Sequence, residues 1–182
     1  MSNRAYESAC RLWRMEADTL RYMTEVINEK AFTQTVEEMC KVLDQGGHLL
    51  ITGKGATGTT ARAFANTLSE LGIPAVFFDP TVTLLNVIHE RDMVVFISKG
   101  GATPEIVSLL EPAKKRGCKT LGITQNPASM VGMMSDLMLR IIVVKSMKDG
   151  DELGMGASIA LTALLDGMVA AIVEHRKPVS DL

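Results

Sequence analysis

The chain has 182 residues, 47% of them hydrophobic and 22% charged, with a formal net charge of −2. That length fits one domain with a substantial core, and the charge balance excludes a strongly basic nucleic-acid surface. With aromatics at only 4%, neither base-stacking platforms nor a carbohydrate-stacking face is expected.

Cys10, Cys40 and Cys118 are far apart and lack C-x-x-C spacing. This argues against a disulfide framework or a zinc site, and for a reducing, cytoplasmic setting. The start of the chain lacks the apolar core of a secretory signal. No metal and no cofactor are called for.

In chain order, apolar residues first recur at helical spacing. Leu12, Met15, Leu20, Met23, Val26 and Ile27 read as one helix, and Phe32, Val36, Met39, Val42 and Leu43 as a second that stops at Gly46-Gly47. Short β-branched runs and amphipathic stretches then alternate. Leu49–Thr52 reads as a strand, Thr57–Leu71 as a helix and Pro74–Phe78 as a strand. A helical turn near Leu84–Ile88 leads to strand Met93–Ile97 and helix Pro104–Arg116. Thr120–Ile123, Ala128–Met134 and Leu137–Val144 complete the pattern as strand, short helix and strand. Such alternation predicts an α/β fold, a parallel sheet covered on both faces and joined by right-handed crossovers. The chain reads as a single domain, residues 1–45 forming a helical pair and 46–182 the α/β core. Met155–Val173 is almost wholly apolar, but Asp166 interrupts it and the α/β pattern precedes it. A helix buried between subunits fits better than a membrane span. The apolar surface of this helix and of the N-terminal pair predicts a homodimer or homotetramer.

Two strands end in Gly/Ser/Thr loops that open into helices: Thr52-Gly-Lys-Gly-Ala-Thr-Gly58 and Ile97-Ser-Lys-Gly-Gly-Ala-Thr103. Backbone amides and small hydroxyls at a helix N-terminus hold an anion such as phosphate, and two such loops suggest a phosphorylated small molecule gripped from both sides. The candidate contacts are Gly55, Ala56, Thr57, Ser98, Lys99, Gly100, Gly101 and Thr103, with the hydroxyls of Thr57, Ser98 and Thr103 around the phosphate. Lys54 and Lys99 either flank it or are solvated.

Other readings remain open. Gly53-x-Gly55-x-x-Gly58 with Asp79 after the next strand matches a dinucleotide fingerprint, although that reading gives the second loop no role. A Walker A loop fails because Thr59 stands where Lys is needed. Alternatively, the glycines only let strand and helix pack closely.

Taken together, these residues resemble the sugar isomerase (SIS) domain family. Gly53–Gly58 parallels its G-x-G-x-S-G, with Thr57 in the Ser place. Ser98, Gly101 and Thr103 parallel S-x-S-G-x-T, with Gly100 at the middle Ser. Ile123-Thr-Gln-Asn126-Pro-Ala-Ser129 with Ser135-Asp136 forms a third match, and Leu153-Gly154 with Leu165-Asp166 a fourth. The N-terminal helices resemble the D-arabinose 5-phosphate isomerase branch. The resemblance implies a three-layer, flavodoxin-like sandwich with a five-stranded parallel sheet that binds a phosphorylated sugar. Members of the family are aldose–ketose isomerases, amino-sugar synthases or phosphosugar sensors.

Where relatives carry catalytic Lys, His and Glu, this chain has Ala56, Leu85 and Ala102, and Ser158 stands where the hexulose-phosphate isomerase branch has Glu. Isomerisation needs a group that moves a proton between neighbouring carbons. The candidates are Asp149 and Glu152 before the last helix, with His89 or a neighbouring subunit's His175 opening the sugar ring. Each also has a plain reading. Asp149, Asp151 and Glu152 form a solvated helix start, His89 an exposed turn, and Glu105 a residue favoured by its helix dipole. The expected partners are thus a phosphorylated sugar and further copies of the chain, with no nucleic acid and no membrane. A non-catalytic phosphosugar sensor, a dinucleotide-dependent oxidoreductase and a structural protein with an empty site are the alternatives.

Overall fold

The computed structural model describes residues 2–81, 88–143 and 155–176. Helices α1 (Ser2–Val26) and α2 (Glu29–Asp44) come first, Asn28 capping α2 by accepting from the Ala31 amide at 2.8 Å. There follow β1 (Leu49–Gly53), α3 (Gly55–Glu70), β2 (Ala75–Phe78), β3 (Met93–Ile97), α4 (Pro104–Lys115), β4 (Lys119–Thr124), α5 (Met130–Met134), β5 (Leu137–Arg140) and α6 (Met155–His175). All five strands are parallel, in the order β2-β1-β3-β4-β5.

The strands are apolar on both faces because both faces are covered. In β3, Met93, Val95 and Ile97 join the core under α2, α3 and α6, whereas Val94 and Phe96 pack with Ile106, Leu109 and Leu110 of α4 and Val131 of α5. This is the three-layer α/β sandwich expected.

Most element ends lie within one residue of expectation, and three differ by more: α3 begins at Gly55, two residues before Thr57, and β5 and α5 differ as follows. β5 stops at Arg140, short of Val144, because its partner β4 stops at Thr124, the residue opposite Arg140. α5 starts at Met130, two residues late: Asn126 accepts from the Ala128 amide (3.1 Å) in a turn, and Ser129 caps the helix by accepting from the Gly132 amide (3.3 Å). The turn proposed near 84–88 lies outside the described residues except for Ile88, which is buried and not helical.

α6 is long and apolar enough to cross a membrane by length and composition. Within this chain it packs on α1, α2 and α3. Ala160, Leu161, Leu164, Leu165, Met168 and Ile172 are buried on one face, while Ser158, Thr162, Asp166, Ala170 and Glu174 form an exposed stripe. Much of the apolar surface expected between subunits is therefore already covered inside the chain.

Candidate functional site

The strand order places a switch point between β1 and β3: the chain leaves β1 toward β2 on one side, and leaves β3 toward β4 on the other. A crevice forms at the carboxyl edge where the crossovers diverge. Gly53 pairs with Ile97 across the two strands. The loops that begin at Lys54 and Ser98 therefore start side by side, roughly 4.8 Å apart, the spacing of neighbouring strands.

In the first loop the glycines have separate tasks. A Cβ on Gly58 would fall 2.6 Å from the Gly53 carbonyl oxygen, so Gly58 permits the close approach of α3 to β1. Gly55 has φ +61° with nothing within 4 Å of its missing Cβ, so it turns the chain and leaves the backbone open to an incoming group. Lys54 makes no side-chain cap, and the first backbone bond of α3 runs from the Gly58 amide to the Lys54 carbonyl (3.2 Å). The amides of Gly55, Ala56 and Thr57 precede it and have no acceptor within the helix.

The second loop is held from within and from behind. Ser98 is buried; its Oγ lies 2.8 Å from Thr103 Oγ1 and accepts from the Gly101 amide at 3.1 Å. The Lys99 carbonyl accepts from the Gln125 amide (3.0 Å) and from Thr124 Oγ1 (3.2 Å), and the Gly101 carbonyl from the Val131 amide (3.0 Å). At φ +69°, Gly101 lies so close to Ser129 that a Cβ would stand 1.8 Å from its Oγ. Thr124 and Ser129, two of the polar residues of the third motif, thus brace the second loop.

These bonds correct the expected grip. The Gly101 amide, anticipated to face the ligand, is engaged with Ser98. Ser98 and Thr103 share one hydrogen bond, so together they retain one hydroxyl proton for an outside acceptor.

Between the loops, Lys54 Nζ pairs with the Glu105 carboxylate. That hydrogen bond holds the Glu105 carboxyl below its ordinary pKa. A cavity of about 190 Å³ opens beside α3, lined by Ala56, Thr57, Thr60, Lys99, Ile141, Ala157, Ser158 and Leu161. Thr60, Ile141, Ala157 and Leu161 were not singled out from sequence. Thr60 was legible there, since it follows Thr57 by one helical turn, whereas the other three reach the cavity only through the packing of β5 and α6 on the sheet. A larger depression of about 470 Å³ lies at the opposite edge, where Glu38 pairs with Lys41 and Lys119, and Asp136 with Lys114.

The expected histidines do not join the loops of this chain. His89 precedes β3, and its amide donates to the buried Asp92 carboxylate (2.8 Å), which also accepts from the His48 amide (2.9 Å). This is the amino edge of the sheet, roughly 16 Å from the loops at about 3.3 Å per strand residue. His89 is therefore corrected from a ring-opening residue of this site to an exposed part of a turn. His175 ends α6 beside Arg176, whose guanidinium pairs with Asp44 at 2.7 Å at the amino-edge end of α2. Asp149, Asp151, Glu152 and Leu85 lie outside the described residues. Asp79 accepts from Thr81 through its amide (2.9 Å) and hydroxyl (2.6 Å), so the acid a dinucleotide site would use is engaged in its own turn.

The family model of the SIS domain matches residues 42–170, from the end of α2 through most of α6. The chain belongs to the SIS domain family. An uncharacterised protein of Archaeoglobus fulgidus is 32% identical over 150 residues, covering 79% of this chain and 80% of that one. Arabinose 5-phosphate isomerase KdsD of Escherichia coli is 28% identical over 170 residues, 89% of this chain and 49% of the enzyme. The chain thus spans about half the length of the curated isomerases it matches. The crystal structure of a proposed sugar-phosphate isomerase from Listeria monocytogenes superposes with a TM-score of 0.87 at 25% identity, covering 100% of this chain and 95% of that one.

Proposed function

We propose that this SIS domain binds a phosphorylated sugar at the carboxyl edge of its sheet and acts as a cytoplasmic, homo-oligomeric aldose–ketose isomerase. The observation that carries this reading is the pairing of Gly53 with Ile97, which starts the two amide- and hydroxyl-rich loops side by side at the switch point. Similarity to the arabinose 5-phosphate isomerases supports the substrate class.

In this reading the amides of Gly55, Ala56 and Thr57 and the N-terminal dipole of α3 hold the phosphate. The Thr57 hydroxyl and the remaining proton of the Ser98–Thr103 pair add neutral donors, and Gly100 leaves room for a phosphate oxygen. Lys99 reaches the cavity where the sugar carbons lie. Asp149 or Glu152, which precede α6 in the chain, supplies the carboxylate that moves a proton between C1 and C2. Such a base contributes a factor of about 10²–10⁴ to the rate.

One observation favours the sensor reading instead. Among the described residues, the cavity lining contains neither carboxylate nor imidazole. Calorimetric titration with sugar phosphates and nicotinamide nucleotides, followed by solvent-proton exchange at C2, distinguishes the readings. Binding with exchange that is lost in Glu152→Gln or Asp149→Asn supports the isomerase. Binding without exchange in the unmodified protein makes it a sensor. NAD binding without sugar-phosphate binding overturns both.

A further inference from the structure

A cavity of about 450 Å³ lies between the end of α1, the start of α2, β5 and α6. Val26 and Ile27 form its side where α1 ends, Met138 and Ile142 line it along β5 and just beyond, and the buried Leu164 closes it from α6. Tyr22 and Val26, 38% and 41% exposed, leave much of their apolar surface uncovered around it. The cavity shares no lining residue with the one beside α3. Folded proteins keep few voids larger than a water molecule, and apolar walls this far apart lack partner atoms on the cavity side. In size and in its mostly apolar lining with a few polar groups, the space matches a small-molecule site.

Charge decides which kind of molecule fits. Of the residues lining the cavity, Arg140 alone carries a charge. Its Nε donates to the Gln125 carbonyl at 3.3 Å, which holds the guanidinium at the end of β5, and among the described residues no carboxylate pairs with it. Asn28 spends its side-chain oxygen on the Ala31 amide, at 2.8 Å. The side-chain groups left to meet a ligand can all donate: the Asn28 amide nitrogen, the Tyr22 hydroxyl and the Arg140 guanidinium.

We propose that this cavity is a second ligand site, for a small amphipathic carboxylate whose charge meets Arg140 and whose apolar body lies along Val26, Ile142 and Leu164. A guanidinium matches the two oxygens of a carboxylate with parallel N–H donors. One cation balances one negative charge, whereas a phosphate dianion would set a second, uncompensated charge against apolar walls. The ligand's body covers the apolar surface that Tyr22 and Val26 leave open, which is the main source of affinity. The site does not depend on what the two glycine loops bind.

Octanoate serves as the probe, and octanol, of the same length without the charge, as its control. Calorimetric titration of the whole protein is expected to show saturable octanoate binding with a dissociation constant at or below about 1 mM, and octanol binding about tenfold weaker or more. Arg140→Gln should weaken octanoate about tenfold or more and leave octanol unchanged. Val26→Trp, at a partly exposed position, should fill the cavity and abolish the binding of both, with unchanged circular dichroism. Neither inorganic phosphate nor a sugar phosphate should displace octanoate. Absence of saturable octanoate binding up to about 10 mM overturns the site. So does octanoate binding that Val26→Trp leaves intact or that phosphate displaces, because either result puts the ligand elsewhere. Equal affinity for octanoate and octanol, or octanoate binding undiminished in Arg140→Gln, overturns the carboxylate as the ligand class.

Discussion

Ser98 Oγ and Thr103 Oγ1 lie 2.8 Å apart, so the two hydroxyls of the second loop form a single hydrogen-bonded unit. Ser98 also accepts from the Gly101 amide and is buried, whereas Thr103 sits at the start of α4 without capping it. Ser98 orients the loop, and in the proposed site Thr103 is the member of the pair that would meet the ligand.

The two alanine variants should therefore behave differently. Ser98→Ala leaves the Gly101 amide only the Ser98 carbonyl, at 3.0 Å, and is expected to lower stability by about 1 kcal/mol as well as weaken sugar-phosphate binding. Thr103→Ala should weaken binding about tenfold or more, the loss of one hydrogen bond to a charged group, with a smaller effect on stability. Thermal melts and calorimetric titration of both variants separate the roles. Equal loss of stability in the two variants would contradict the division.

Gly101 and Gly100 are adjacent but not equivalent. Gly101→Ala combines a positive φ with a Cβ placed 1.8 Å from Ser129 Oγ and 2.8 Å from Thr124 Oγ1. It should destabilise the fold by about 2 kcal/mol or more. A methyl group on Gly100 would meet nothing within 4 Å, so Gly100→Ala should leave the denaturation midpoint nearly unchanged. Any effect of Gly100→Ala should appear in phosphate affinity, since the methyl would project into the loop's open side.

The Lys54–Glu105 pair joins the two loops while remaining partly exposed, with side chains 48% and 34% accessible. Exposed pairs contribute little to stability, so Glu105→Gln should barely move the melting temperature. The same change removes a negative charge beside the phosphate site and frees Lys54, and it is expected to tighten sugar-phosphate binding, most at low salt. The pH dependence has a defined sign. Glu105 has a depressed pKa in the folded chain, so the small stabilisation is present above the ordinary Glu value and lost as pH falls through the folded one. Titration of unmodified and Glu105→Gln protein at two salt concentrations checks the effect. Weaker binding in the variant would refute it.

At the other edge of the sheet, Asp92 accepts from the amides of His48 and His89 and lies 3.2 Å from His48 Nδ1. Asp92→Ala leaves both amides without their carboxylate and should destabilise by about 3 kcal/mol, because bonds to a charged group are worth about 1.5–3 kcal/mol each. His89→Ala keeps its backbone amide and should change neither stability nor turnover. A large loss of turnover in His89→Ala would restore a catalytic role for that residue.

Much of the architecture was legible in the sequence because short apolar runs and helical periodicity report local burial directly. Met93–Ile97 reads as a strand covered on both faces, and it is one. Gly53-x-Gly55-x-x-Gly58 announces a tight strand-to-helix turn. Periodicity does not carry the length of β5, which is set by where its neighbour β4 ends. Nor does it distinguish an apolar helix buried by its own chain from one buried by a partner, as α6 illustrates.

The sequence by itself determined the order of elements, the two loops and the family they resemble, since each depends on residues close together in the chain. Only the tertiary structure decided how those loops relate. Parallel pairing of Gly53 with Ile97 brings residues 44 positions apart to the start of one crevice. The same packing sends His89 to the far edge, spends the Gly101 amide on Ser98, and sets Lys54 against Glu105. Hydrogen-bond partners across a sheet depend on strand order and register, which no local pattern encodes.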